Sequence, residues 1–398
     1  MILLSGADLV LPDRIAGTST LLVEGERITD ISEGPRRGGA ADRTIDLTGH
    51  LVVPGFIDVH VHGVEGFDTL VQPDAIAEMS RRLPRYGVTS FCPTSIACSP
   101  SALRAMLARV RDARTTRPSK GSRVLPAHLE SNFISPEFAG AQPVRCLRLP
   151  RGSRPGEDQF TGRDILGEIE RASADVAVVT IAPELDGALD LIQHLVRNGQ
   201  HVSIGHTGAS YAQAREGIAA GACRATHLFN RMTPLTHREP GVVGAVLESD
   251  EVAAELVCDG FHVHPAAMKA AIAAKGPSRV MAITDGTAGS GLPPGTKTTL
   301  GGRTITVGDL ARLEDGTIAG SVLTMDQAFA RLIARLGLSP VDAAILTSTT
   351  PARELGLHGY GVIAPGAVAD LVVLDRTFNV VQTWVAGELV WGEDRINS

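Results

Sequence analysis

The stretch PGFIDVHVHG, residues 54–63, marks the point where the chain changes character. Before it, ADLVL, STLLVEGERITDI and RTIDLTGHLVV read as short strands separated by turn residues, without a helical period. After it, short β-rich runs alternate with amphipathic helical stretches, the signature of a parallel sheet built from βαβ units. Counting onward from it gives eight runs, at 55–62, 87–94, 124–131, 176–184, 201–207, 225–230, 255–263 and 280–286. Helices are expected over 73–86, 101–114, 162–174, 186–198, 209–220, 265–275 and 322–336. Residues 231–254 carry no clear assignment, and the Gly-rich 291–320 reads as a β-hairpin excursion.

Eight strand–helix units predict an α/β fold, a (β/α)8 TIM-like barrel over residues 54–355. The competing architecture is a doubly wound open sheet, but its GxGxxG phosphate loop after the first strand is absent. The tail, 356–398, alternates and turns much as residues 1–53 do. Both ends are therefore expected to build one small discontinuous β-sandwich domain. The 398 residues suit this division, since a barrel takes about 250 residues before insertions.

Composition removes several function classes. A hydrophobic share of 43% with 20% charged residues is that of a folded globular chain. Aromatics at 4% argue against a stacking platform for single strands, and a net charge of −7 lacks the footprint of a polyanion binder. No nucleic-acid partner is expected. Five cysteines form no CxxC pair, no apolar run approaches a membrane span, and the N-terminus does not read as a signal peptide. The expectation is a reduced, cytoplasmic protein with no membrane partner.

Active-site residues of such a barrel sit at the C-terminal ends of its strands. Polar residues gather there in this chain. The first run ends in His60 and His62, which share a face of the strand. The third ends in His128-Leu129-Glu130, the fifth reaches His206, the sixth holds His227 and the eighth holds Asp285. One strand-end histidine is ordinarily a hydrogen-bonded core residue. So many at one end of a buried sheet need a common partner, and imidazole with carboxylate is the donor set of a catalytic divalent metal. Some barrel hydrolases bridge two metals with a carboxylated lysine at a strand end. None of Lys120, Lys269, Lys275 and Lys297 ends a run here, which leaves Glu130 as the available bridge. Such a site activates water, with Asp285 as the proton carrier and the metal stabilising the oxyanion. The ligand pattern alone leaves amide, ester and phosphoester hydrolysis and deamination open.

Taken together, the split β domain, HVH on the first strand, the bridging glutamate and the terminal aspartate resemble the amidohydrolase superfamily. The finer motifs resemble the N-acetylglucosamine-6-phosphate deacetylase family: PGFIDVHVHG (54–63), HLE (128–130), VTIAPE (179–184), GHTGAS (205–210), ATHLFN (225–230), REPGVVGAVL (238–247), DGFHV (259–263), TDG (284–286) and GSVLTM (320–325). The resemblance implies hydrolysis of the acetamide of N-acetylglucosamine 6-phosphate to glucosamine 6-phosphate and acetate. Related N-acyl amino sugars, phosphorylated (N-acetylgalactosamine 6-phosphate) or not, are the alternative, and an inactive scaffold would have shed ligands that this chain keeps. By motif position, Glu130, His206 and His227 would hold the main metal, and His60 and His62, with Glu130 bridging, a second. One or two divalent ions are implied, zinc first, with Fe, Co or Mn open. Asp285 would be general base and then acid. His262, Asn230 and Arg231 would contact the sugar phosphate, and Gln142 the substrate. Arg238 would reach the phosphate from a neighbouring subunit, implying a homodimer. Four departures stand out: Ser131-Asn132 replaces the usual Gly-Pro, Gln142 a usual His, Arg231 a common Ala, and Gly286 a common Ala.

Overall fold

The computed structural model describes residues 1–35, 42–116, 120–152 and 159–393; residues 394–398 of the expected C-terminal segment lie outside that set. Eight parallel runs form the barrel: Phe56–Val61, Val88–Ser95, Ala127–Leu129, Val176–Ile181, His201–Ile204, Arg224–Ala225, Ala253–Val257 and Val280–Ile283. The first and last meet through a parallel bridge between Val61 and Gly286 and a hydrogen bond from Asp285 N to His60 O of 3.0 Å. Strand residues are buried on both faces, as expected of a sheet packed inside and wrapped by helices outside.

Differences from the expected boundaries have local causes. The third run is split, because Pro126 brings no N–H to the ladder; Arg123–Val124 pairs lower on Val88–Ser95 than Ala127–Leu129 does. The sixth run is a strand only at Arg224–Ala225, and residues 226–230 are turn. Residues 231–254 contain a helix, Gly241–Glu248, and the 291–320 excursion is a three-stranded sheet of Lys297–Leu300, Arg303–Thr306 and Arg312–Leu313. The other helices follow the expected spans, with Pro265–Lys275 matching both ends.

The chain ends share one eight-stranded sheet. Leu371–Leu374 runs antiparallel to Leu51–Pro54, which joins Ile2–Val10, while Val380–Val385 and Glu388–Trp391 extend the C-terminal side. Leu4, Leu9, Leu21, Ile28, Val52, Val373 and Trp384 form a core for this sheet apart from the barrel's own. Arg123, from the barrel, pairs with Asp370 at 2.7 Å and locks the returning tail in place.

Candidate metal centre and active site

A repeated backbone device aims the site. His206, His227 and Asp285 each lie two residues beyond their strand's last residue, Ile204, Ala225 and Ile283. Each adopts a positive φ, of 47°, 31° and 49°. Left-handed backbone at a non-glycine costs about 1–3 kcal/mol, and such strain clusters where side chains must be aimed. Here the strand keeps its register while the turn carries the side chain into the mouth. Neighbours hold the turns: Ser135 N donates to His206 O at 2.9 Å, Leu228 N to Glu255 O at 2.8 Å, and Ser321 N to Asp285 O at 2.7 Å.

The expected ligands converge in two buried groups, Glu130 with His206 and His227, and His60 with His62 and Asp285. Glu130 Oε1 lies 2.9 Å from both His206 Nε2 and His227 Nε2. Those two nitrogens are 3.0 Å apart, and His60 Nε2 and His62 Nε2 are 3.2 Å apart. Glu130 also reaches the second pair, 3.8 Å from His60 and 3.6 Å from His62, while Asp285 Oδ1 stands 3.5 and 3.2 Å from them. Imidazole nitrogens facing each other in pairs, with carboxylates between, suit a shared cation better than hydrogen bonding alone. The Nδ1 atoms of His62 and His227 are buried without a hydrogen-bond partner among the described residues, so these rings are turned toward the mouth by something other than a second bond. The donor set fits a divalent ion of the zinc type.

Electrostatics agree with clustered opposite charge. Burial disfavours the His60 cation, but its hydrogen bond to Glu255 and the charges of Asp285, Glu255 and Glu130 outweigh this and lift the ring to about 10. Burial raises Glu130, yet His206, through charge and hydrogen bond, with His227 and His60, holds it well below the usual carboxylate range. Asp285 is likewise held low: burial opposes its ionisation, and His62 and His60 overcome it. His128 behaves differently. Burial pushes it down to about 3, and both nitrogens are committed, Nδ1 to Val59 O at 3.1 Å and Nε2 to Thr180 Oγ1 at 2.9 Å. It is a core residue beneath the site.

A cavity of about 210 Å³ opens over the two groups, lined by Gln142, Asn230, Arg231 and His262 as well as by the ligands. The His262 ring meets Asp259 Oδ2 through Nδ1 at 2.5 Å, leaving Nε2 as its remaining polar atom. Arg231 is exposed at the rim with φ 52° and lies against Gly140, where an added Cβ would come within 2.8 Å of its Nε. The Gln142 amide is engaged on both sides: Nε2 donates to Glu130, and Oε1 accepts from Ala97 N at 2.8 Å. Arg238 is exposed on the loop before Gly241–Glu248 and does not line the cavity of this chain. Two carboxylates escaped the sequence reading. Asp259 sits in DGFHV, three residues before the histidine it binds. Glu255 is wholly buried, with Oε2 3.0 Å from His60 Nδ1. Its one signal is a charge inside the apolar strand AAELV.

The geometry has close counterparts. Over 342 residues, 85% of this chain and 87% of the relative, it is 36% identical to an N-acetylgalactosamine-6-phosphate deacetylase of Escherichia coli. Over 346 residues, 86% of this chain and 85% of the relative, it is 36% identical to an N-acetylglucosamine-6-phosphate deacetylase of Bacillus subtilis. An aspartate-to-alanine mutant of the Mycobacterium smegmatis N-acetyl-D-glucosamine-6-phosphate deacetylase, in complex with N-acetyl-D-glucosamine-6-phosphate, superposes with a TM-score of 0.87 at 32% identity. That match covers 98% of this chain and 99% of the other. The amidohydrolase family pattern matches residues 51–390, a span that begins before His60 and ends beyond Asp285. A barrel that gathers histidines and carboxylates at one mouth, within a sequence carrying that pattern almost end to end, belongs to the amidohydrolase family.

Proposed function

We propose that the protein is a metal-dependent deacetylase that hydrolyses the acetamide of N-acetylglucosamine 6-phosphate to glucosamine 6-phosphate and acetate. The observation carrying this reading is Glu130, within 2.9 Å of one histidine pair and 3.8 Å of the other, beneath a cavity rimmed by Arg231. In this reading Glu130, His206 and His227 would hold one divalent ion, and His60 and His62, together with Glu130, would hold a second. Zinc is the first choice, and Fe, Co and Mn suit the same donors. When bound, such an ion supplies Lewis acidity toward an amide carbonyl and toward water.

The chain's own residues do the rest. Asp285, held ionised, takes the proton of the attacking water on a carboxylate oxygen and later delivers it to the departing amide nitrogen. Gln142 faces the cavity while bracing Glu130. His262, oriented by Asp259, offers Nε2 to the sugar phosphate, and the Asn230–Arg231 turn, with the Arg231 guanidinium, offers further donors. Arg238, exposed in the single chain, completes the phosphate site from the partner of a homodimer. The two units divide at residues 53/54 and 355/356; the terminal sheet has a cluster of its own, while Val10, Leu51, Val53, Val372 and Leu374 pack into the barrel's core at the seam. A reduced cytoplasmic setting suits the five free cysteines; among the described residues no helix is long and apolar enough to cross a membrane.

The Escherichia coli relative favours a second reading, the galactose epimer as substrate. Acetate release from N-acetylglucosamine and N-acetylgalactosamine, each with and without the 6-phosphate, tests both, with metal content measured on the same sample. The glucose epimer with phosphate is expected to give the highest kcat/KM. A higher value for the galactose epimer selects the second reading, and indifference to phosphate overturns both.

A further inference from the structure

The two ligand groups differ in what stands behind them. In the first, His206 is fixed by a backbone carbonyl: Nδ1 meets Phe138 O at 2.8 Å. In the second, His60 is fixed by a carboxylate, Glu255, with Oε2 3.0 Å from Nδ1. An ionised carboxylate can only accept, so Nδ1 carries the hydrogen. In the neutral ring, the form that ligates a metal, Nε2 then presents its lone pair toward His62 and the mouth. His128 lies beside the same carboxylate, with Nδ1 3.9 Å from Oε1, but already spends both nitrogens on Val59 and Thr180. Glu255 therefore serves one ligand.

Keeping it there is costly. Glu255 is fully buried, and Oε1 has no hydrogen-bond partner among the described residues. Arg224 is also fully buried, with Nε and Nη1 unpartnered there. It pairs in register with Ala253, two residues before Glu255, so both side chains lie on one face of adjacent strands. An opposite charge carried in the barrel core offsets part of the burial cost. Arg224 Nη2 donates to Glu354 O, and among the described residues Arg224 makes no ion pair with Glu255. Buried charges are often replaceable by apolar residues of similar volume without loss of stability, so stability alone does not account for Glu255.

We propose that Glu255 is a positioning residue that makes His60 a competent ligand and so sets whether the second ion is held. This rests on the two-ion reading of the mouth. A carboxylate behind a ligating histidine fixes its tautomer and strengthens it as a donor, and loss of such a partner typically costs 10–100-fold in metal affinity.

The test is a count. Metal-free wild type, Glu255→Leu, Glu255→Gln and His60→Gln are titrated with Zn2+ against chelators, and bound ions are counted after desalting. Wild type is expected to bind two ions. Glu255→Leu should keep the first at wild-type affinity and bind the second 10–100-fold more weakly. Glu255→Gln, whose amide oxygen can still accept from Nδ1, should lie between. Adding Glu255→Leu to His60→Gln should cost nothing more. If Glu255→Leu does not fold, Glu255→Leu/Arg224→Met, which removes both buried charges, is measured in the same way. Two ions bound at wild-type affinity by the Glu255→Leu variant overturn the proposal. Equal weakening of both ions also overturns it, because that is the mark of a merely structural residue. A wild type that binds a single ion overturns the two-ion reading itself, whatever the variants do.

Discussion

Asp285→Asn is the sharpest perturbation of the proposed chemistry, because the structure limits what else it can change. The backbone of Asp285 is pinned on both sides, N to His60 O at 3.0 Å and O to Ser321 N at 2.7 Å. Asparagine has nearly the same shape and keeps an oxygen where Oδ1 now stands, 3.2 Å from His62 Nε2. The group of Glu130, His206 and His227 does not include Asp285, so metal there should be retained. What disappears is a carboxylate that is ionised at neutral pH and can take and return a proton. Positioned proton transfer contributes about 10²–10⁴ in rate, or roughly 3–5 kcal/mol of barrier. Since this interaction is made only as the bond breaks, kcat and kcat/KM should fall together by that factor with KM little changed. The assay is acetate release from N-acetylglucosamine 6-phosphate over a substrate series, with ions counted on the same sample. A kcat within tenfold of wild type at normal metal content would remove Asp285 from its role. Loss of every bound ion would reassign it to metal binding.

Three further outcomes are expected. Arg231→Ala should raise KM for the phosphorylated sugar about 10–100-fold, the worth of a charge-assisted hydrogen bond or two, and leave the unphosphorylated sugar unaffected; Gly140→Ala, whose Cβ would come within 2.8 Å of Arg231 Nε, should move KM the same way, and an equal effect on both sugars would refute phosphate contact. Gln142→Ala should destabilise the protein by about 1–3 kcal/mol by stranding the buried Ala97 N–H, so an unchanged urea midpoint would count against the bracing role. The Arg104 hydrogen bond outweighs burial at Glu168 and, with Arg171, lowers it to about 2. A depressed carboxylate stabilises the fold above its unfolded value of about 4.5 and loses that contribution as pH falls toward 2. After discounting for the solvent-exposed arginines, Glu168→Gln should therefore cost about 1–2 kcal/mol at pH 7, with the gap from wild type closing between pH 4.5 and 2; a gap independent of pH would contradict this.

The barrel was readable because its strands end alike. Ile204, Ala225 and Ile283 each stop two residues short of a ligand-type side chain, so the end of apolar character and the start of chemistry fall together along the chain. That coincidence also explains the overextended sixth strand. Leu228 and Phe229 return to apolar character after Thr226-His227, but Leu228 is buried by a turn in which His227 and Phe229 take positive φ. Hydropathy does not register that change. Gly241–Glu248 escapes detection for the opposite reason. Its sequence GVVGAVLE is apolar nearly all round and has two glycines, so neither period nor propensity marks a helix. Glu255 is hidden by position: a single carboxylate in a strand has no spacing to read, and its meaning depends on His60, 195 residues away in sequence.

The departures from the family's usual residues gain sense when taken as a set. Ser131 Oγ donates to Thr180 O at 2.6 Å, and Asn132 Nδ2 donates at 2.7 Å to both Cys98 O and Cys146 O. Gln142 then closes the same loop onto Ala97 N and Glu130. Three side chains absent from the usual pattern thus tie residues 131–146 to the ends of neighbouring strands, and they do it by neutral hydrogen bonds. The loop's polar capacity is spent inward, on the scaffold and on the shared carboxylate, and little is left to face a substrate carbonyl. Under the proposed function, polarising that carbonyl would then fall to an ion held by His60 and His62. On the two-ion reading, a chain with Gln142 at the position of that histidine would depend more on its second ion. The buried Glu255 behind His60 is the residue such a dependence would require.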